Sequence, residues 1–245
     1  MTGARPGLRP GAMSRRRRHR LRRALLGAGF AALAALLGLQ GWYFAWVVYY
    51  AGQPPATTAF MELRGAEQGD GTALQRDWVD YEAISPWLKR AVIAAEDARF
   101  MQHGGIDWQA LNKALQENLA ADGVVRGGST ITQQLAKNLF LSPRRSYLRK
   151  AQEAVIAYML EAVMTKRRIL ELYLNVIEWG EGRFGAAAAA RHYYGRSPAR
   201  LTRWQAAMLA ARIPRPRFYD RNGTTPYLLE RAGDIYGWSD QVRIP

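Results

Sequence analysis

Two carboxylates, three cations and a run of amides are the residues whose types and spacing could do chemistry. Glu96 and Asp97 follow the apolar residues Ala91, Ile93 and Ala94, with Phe100 and His103-Gly104-Gly105 just beyond. A carboxylate at the end of such a segment is partly desolvated, which raises its pKa toward that of a usable base. Gly127-Gly128-Ser129-Thr130 then leads into Ile131 to Asn138. This run reads as a turn and a helix: the glycines give backbone freedom, and Ser129 or Thr130 can cap. Gln133, Gln134, Lys137 and Asn138 follow closely, the first three within about one turn. Exposed N–H groups, amides and an ammonium together suit an anionic ligand. Arg149, Lys150 and Glu153 form a third group at helical spacing, bordering the apolar stretch Ala154 to Ala157.

Each group has a plain structural reading as well. An Asp-Ala-Arg run is often a solvated salt bridge, Ser-Thr after Gly-Gly is often only a cap, and Arg149-Lys150-Glu153 taken alone is an ordinary ion pair. Together they support more: Glu96 and Glu153 could flank a sugar bond as base and partner, and Lys137, Arg149 and Lys150 could neutralise a phosphorylated leaving group. His103 is expected to have a structural role, bonding a loop carbonyl. Asn175 and Glu178 frame another polar wall. The aromatic stretch from Phe218 to Trp238 can be core or can touch sugar or lipid.

Composition narrows the class. The chain has 245 residues and no cysteine, so disulfides and cysteine nucleophiles are excluded. Its three histidines, at 19, 103 and 192, argue against a histidine-rich zinc site. Net charge is +15, yet residues 1–23 hold nine arginines and no acid, leaving 26 basic against 20 acidic residues elsewhere. The basic pI therefore describes mainly the tail, and a nucleic-acid partner is not expected.

The elements that must position these groups start with an anchor. Residues 1–23 read as a basic cytoplasmic tail, disordered over Met1 to Ser14. Ala24 to Tyr50 is 27 residues without a charge, about 40 Å as a helix and longer than the roughly 30 Å hydrocarbon core. The arginines before it place residues 51–245 outside the cytoplasm, and Trp42, Tyr43, Trp46, Tyr49 and Tyr50 form an interfacial belt. A cleaved signal peptide would have a shorter apolar region and a small-residue cleavage site.

Beyond the Pro54-Pro55 linker, Phe60 to Leu63 reads as a brief strand or extended segment, and Glu67 to Thr72 as a loop. Ser85 caps a helix from Pro86 to Ala94 or Asp97. Asp107 to Leu119 is helical, with Trp108, Leu111, Leu115 and Leu119 recurring on one face. Ala121 to Gly128 is a flexible loop, and Thr130 to Leu141 a helix. Ser146 to Met164 is a long helix that buries Leu148, Ala151, Val155, Tyr158 and Met159. Further helices cover Thr165 to Asn175, Ala186 to Tyr194, Thr202 to Ala210 and Tyr227 to Tyr236, with the pattern fading after Pro214 and Pro216. No run of alternating strands stands out, so the fold class is mainly α-helical.

These motifs resemble, in order, those of the family 51 peptidoglycan glycosyltransferases. Glu96 to Phe100 with His103 and Gly105 is similar to the first motif, Gly127 to Asn138 to the second and Arg149 to Glu153 to the third. Glu171 to Asn175 with Gly180, Gly185, Ala186 and Tyr194 is similar to the fourth, and Ala206 to Pro214 to the fifth. The resemblance covers about residues 75–216 and implies a lysozyme-like glycosyltransferase domain behind an N-terminal transmembrane helix. It implies lipid II and the growing glycan strand as substrates, with Glu96 as base toward the acceptor hydroxyl. Glu153 would be the second catalytic group and a candidate ligand of a divalent cation, Mg²⁺ or Mn²⁺; no organic cofactor is implied. Lys137, Arg149 and Lys150 would bind the phosphates, while Ser129, Thr130, Gln133, Gln134 and Asn138 would shape the donor site. Phe100, His103, Gly128 and Asn175 would be structural neighbours of that site. Membrane lipid and other cell-wall synthesis proteins are the remaining partners, at the bacterial inner membrane. The rival readings are a membrane-anchored lysozyme-like peptidoglycan hydrolase and a non-catalytic glycan-binding scaffold.

Overall fold

The computed structural model describes residues 15–68, 74–120, 127–144 and 146–245. The expected disorder of Met1 to Ser14, most of the Ala121 to Gly128 loop and the end of the Glu67 to Thr72 loop lie outside them. The chain divides into two units, Met1–Ala45 and Trp46–Pro245.

The described residues of the first unit belong to helix α1, Arg15–Gly52. Within α1, Arg22–Gly52 is long and apolar enough to cross a membrane, with a hydropathy of 1.7 and none of that window buried. The helix extends past both expected ends because nothing in the sequence breaks it before Pro54-Pro55.

The second unit is a body of helices α2 (Ala59–Gln68), α3 (Pro86–Glu96), α4 (Trp108–Ala120), α5 (Ile131–Phe140), α6 (Tyr147–Val163), α7 (Lys166–Val176), α8 (Gly185–Tyr194), α9 (Arg203–Arg212), α10 (Pro216–Asn222) and α11 (Pro226–Trp238). Three short strands form a small sheet of order β1-β3-β2: β1 (Gln75–Arg76) runs parallel to β3 (Arg183–Phe184), which is antiparallel to β2 (Glu178–Gly180). Strands of two or three residues are too short to show alternation, which is why pattern alone misses them. Gly185, with φ of +83°, starts α8 where any Cβ would come within 2.8 Å of the Asn175 carbonyl oxygen, a conformation and an approach open only to glycine.

Capping sets most helix starts. Ser85 accepts from Trp87 N with Pro86 in the first turn, Ser146 accepts from Arg149 N, and Thr165 accepts from Arg168 N. Two elements differ from expectation. Phe60 to Leu63 is helical, not extended: Thr58 Oγ1 accepts from Met61 N at 3.2 Å, and Phe60 and Met61 are buried, with α2 packed against α5. Burying two such side chains, at about 1.5–3 kcal/mol each, outweighs a weak local pattern. After Pro214 the chain forms α10, because Pro216 occupies a first-turn position where its missing N–H costs nothing.

The core lies between α3, α7, α8 and α9, with Trp179, Tyr173, Phe100 and Phe184 its largest fully buried side chains. Alanines 186–190 let α8 pack closely in it. Helix α3 packs on α9 and α11, and α5 on α6 and α7. The inward face of α6 is not the expected one. Glu153, Ile156, Ala157 and Leu160 are buried, whereas Leu148 is 85% exposed, Ala151 is exposed, and Val155 and Tyr158 are 41% and 47% exposed. Periodicity finds an apolar stripe without telling which stripe faces the protein. Here the inward stripe carries a neutralised carboxylate.

Candidate active site

Glu96 is the last residue of α3. Its Oε2 accepts a hydrogen bond from Gln134 Nε2 at 2.9 Å, and Gln134 Oε1 accepts from the Tyr173 hydroxyl at 2.8 Å. Oε1 is buried and accepts no hydrogen bond among the described residues. Arg231 of α11 stands 3.5 Å from it. Burial pushes the Glu96 carboxyl above the ordinary carboxylate value, against the lowering influences of the Gln134 bond, Arg231 and Lys137. Desolvation of the charged form is thus the dominant effect, as required of a base working near neutral pH.

Asp97 fixes the loop that follows. Its oxygens lie 2.9 and 3.0 Å from His103 Nε2, and Oδ2 also accepts from Ile131 N at 3.0 Å. A carboxylate therefore joins the end of α3 to the positive N-terminus of α5. The partner of His103 Nε2 is thus this carboxylate and not the expected loop carbonyl. Phe100 is fully buried beneath. Gly128 lies against α4, where a Cβ would come 3.1 Å from Leu111 Cα.

Helix α5 begins with a capping box formed by two of the expected substrate residues, Thr130 and Gln133. Thr130 Oγ1 accepts from Gln133 N, and Gln133 Oε1 accepts from Thr130 N. Thr130 Oγ1 also donates to Gly105 O at 2.6 Å. Both side chains are buried. Thr130 and Gln133 thus hold the turn through the Thr130 hydroxyl and the Gln133 amide oxygen.

One turn on, Gln134, Lys137 and Asn138 share a face and line a cleft of about 350 Å³ with Phe60, Arg64, Glu178 and the 213–218 segment. Asn138 Nδ2 donates to the Gln134 carbonyl at 2.8 Å. Among the described residues no carboxylate is within ion-pair distance of Lys137 or Arg215. Burial lowers the Lys137 ammonium's pKa, and Glu153 and Glu96 both act to raise it. Lys137 therefore lies in the fields of both carboxylates. Glu178 of the anticipated polar wall accepts from Arg64 Nε at 3.1 Å, and burial raises its pKa. Asn175 is structural: its amide accepts from Val79 N and donates to Val79 O, both at 2.9 Å.

On α6, Glu153 is buried between two cations. Arg149 Nη1 is 2.7 Å from Oε2, and Lys150 Nζ meets Oε1 and donates to Ser129 Oγ at 2.8 Å. Ser129 is thereby tied to the α6 cations. The expected divalent ion does not fit here. A hard cation gathers several oxygens, whereas Glu153 is one carboxylate with both oxygens already facing positive charge.

Tyr173 and Arg231, which touch the Glu96–Gln134 unit, are not among the expected site residues. Tyr173 reads only as part of the stretch similar to the fourth motif and Arg231 as part of a terminal helix, and neither position marks a contact with Glu96 or Gln134.

The transglycosylase family model matches residues 64–236. The chain belongs to the transglycosylase family. Its relatives include proteins named biosynthetic peptidoglycan transglycosylase. The one from Laribacter hongkongensis is 54% identical over 89% of this chain and 97% of its own length. That from Nitrosospira multiformis is 52% identical over 87% and 94%, and that from Alcanivorax borkumensis 53% identical over 84% and 82%. The transglycosylase match takes in the fold's lysozyme-like body from Arg64 on α2 to Tyr236 on α11.

Proposed function

We propose that this transglycosylase polymerises lipid II into β-1,4-linked glycan strands, with inversion at the donor sugar and release of undecaprenyl pyrophosphate. Glu96 takes the proton from the acceptor's 4-hydroxyl. That oxygen forms the bond to C1 of the donor sugar while the bond from C1 to the pyrophosphate oxygen breaks, and its electron pair leaves with the lipid pyrophosphate. Lys137, Arg149 and Lys150 receive the growing negative charge. Ser129, Gln134 and Asn138 bound the donor side, and Glu153 holds Arg149 and Lys150 in place. No step is assigned to a metal ion.

The observation that carries this reading is Lys137, a cation without a carboxylate partner within ion-pair distance among the described residues, lining the cleft one turn from the Gln134 that bonds Glu96. A base for a sugar hydroxyl and a cationic seat for a pyrophosphate thus share one side of α5. A hydrolase of finished glycan needs no such cationic seat. The apolar side chains that α4 exposes, Trp108, Leu111, Leu115 and Leu119, suit lipid as a further partner. We place α1 in the bacterial inner membrane with the arginine-rich end in the cytoplasm, so that the body meets the lipid-linked substrate at the outer face.

Incubation of the full chain with lipid II tests the reading. Long glycan and released lipid pyrophosphate are the expected products. Shortening of finished glycan, with lipid II untouched, would overturn it in favour of hydrolysis.

A further inference from the structure

Arg231 is a cation whose single ion-pair partner among the described residues is Glu96. It lies on α11 beside the buried stripe Leu228, Ala232 and Ile235, which seats that helix on the body. Asp234, three residues on, forms no ion pair with it among the described residues, so Arg231 is not part of a surface network. Its Nη2 stands 3.5 Å from Glu96 Oε1. That exceeds the roughly 2.7–2.9 Å of a charge-assisted hydrogen bond. Both Arg231 Nε and Glu96 Oε1 are buried without a hydrogen-bond partner.

The two oxygens of Glu96 thus have different surroundings. Oε2 is occupied by Gln134, itself held by Tyr173. Oε1 has a guanidinium beside it and a lone pair still available. We propose that Arg231 is a positioning residue for the base: it holds negative charge on Glu96 while leaving Oε1 free to take the acceptor's proton. A hydrogen-bonded arginine would compete for that lone pair, and an absent one would leave only Gln134 and Lys137 to offset desolvation. The other groups acting on Glu96 are Asp97 on its own loop, Gln134 and Lys137 from α5, and Tyr173 from α7. Of the two cations among them, Lys137 also answers to Glu153, which leaves Arg231 the one dedicated to the base. The terminal helix, by this inference, takes part in proton transfer as well as in packing.

The inference rests on Glu96 being the base, and the experiment separates the two. In the full chain, Arg231→Met keeps the aliphatic stem and removes only the charge. The acid limb of kcat/KM for lipid II polymerisation should move to higher pH by about one unit, with the plateau within about threefold of wild type. Arg231→Lys should return most of the shift. An unmoved limb in a folded Met variant overturns the proposal. If thermal melting shows the Met variant unfolded, Arg231→Gln, also uncharged, decides in its place: its limb should rise in the same way, and a limb coincident with wild type overturns the proposal. Titration of the Glu96 carboxyl by ¹³C NMR, assigned with Glu96→Gln, reads the same charge effect without turnover. A variant with Glu96→Gln that still polymerises defeats the base assignment, whereas a Glu96 titration unchanged in Arg231→Met defeats the role of Arg231.

Discussion

Glu96 ends α3 with its carboxyl buried, and a buried carboxylate costs the folded state stability once it ionises. Its pKa in the fold lies above the ordinary value of 4.5. Between those two values the folded chain binds more protons than the unfolded one, so stability falls as pH rises through that window and the penalty is complete above it. Glu96→Gln removes the titration. The variant should melt higher than wild type at neutral pH, with the difference shrinking as pH drops toward 4.5. A lower melting temperature at neutral pH would mean that the contacts with Gln134 and Arg231 outweigh burial. Activity runs the other way: wild-type turnover should fall as pH drops through the raised value. Glu96→Gln should lose about 10²- to 10⁴-fold in turnover while lipid II still binds. Lys137→Met should raise KM for the lipid-linked donor by more than it lowers kcat; steady-state kinetics with unchanged KM would remove its phosphate role. Glu96, Lys137 and Glu153 stand out in the sequence only together, since each alone reads equally as a salt bridge or a cap neighbour. Arg231 does not, since it reaches Glu96 from an element far along the chain, and Tyr173 stands out only within the fourth motif, with no sign of its contact with Gln134.

Helix α5 is the element on which the site depends, because its first turn faces the Asp97 loop and its second carries Gln134 and Lys137. Thr130 secures that start with three hydrogen bonds made through its hydroxyl and amide. Thr130→Ala should cost about 1–2 kcal/mol in denaturant melts, with turnover reduced as α5 loses its register, and Thr130→Ser should restore both. A stable Thr130→Ala variant with impaired binding of lipid II would instead return Thr130 to the substrate. Helix starts were readable because Ser85, Thr130, Ser146, Thr165 and Thr202 all act as caps. Helix faces were harder. On α6 the stripe with Leu148, Val155 and Tyr158 looked inward by composition, yet the stripe containing Glu153 is the buried one, since Arg149 and Lys150 neutralise its charge. Tertiary pairing decided that face, and it is invisible to periodicity.

At the scale of the whole molecule, α1 confers no catalytic group, so its contribution to the reaction must come through where the body is held. The 31 residues of Arg22–Gly52 span about 46 Å as a helix, enough for a hydrocarbon core of about 30 Å with tilt and interfacial ends. The body from Trp46 onward has its own core. Holding it at a bilayer that also carries the substrate replaces a search in three dimensions by one in two, and effective concentration rises without any new contact. A chain shortened to the body should therefore polymerise lipid II in detergent micelles with kcat within about threefold of the full chain. In vesicles at the same total lipid II it should fall behind by on the order of 10²-fold, with kcat per bound enzyme unchanged. Equal rates in vesicles would mean that the apolar surface exposed by α4 and α6 holds the body to lipid unaided. Loss of activity in both media, with the fold intact by melting, would mean that α1 shapes the site itself.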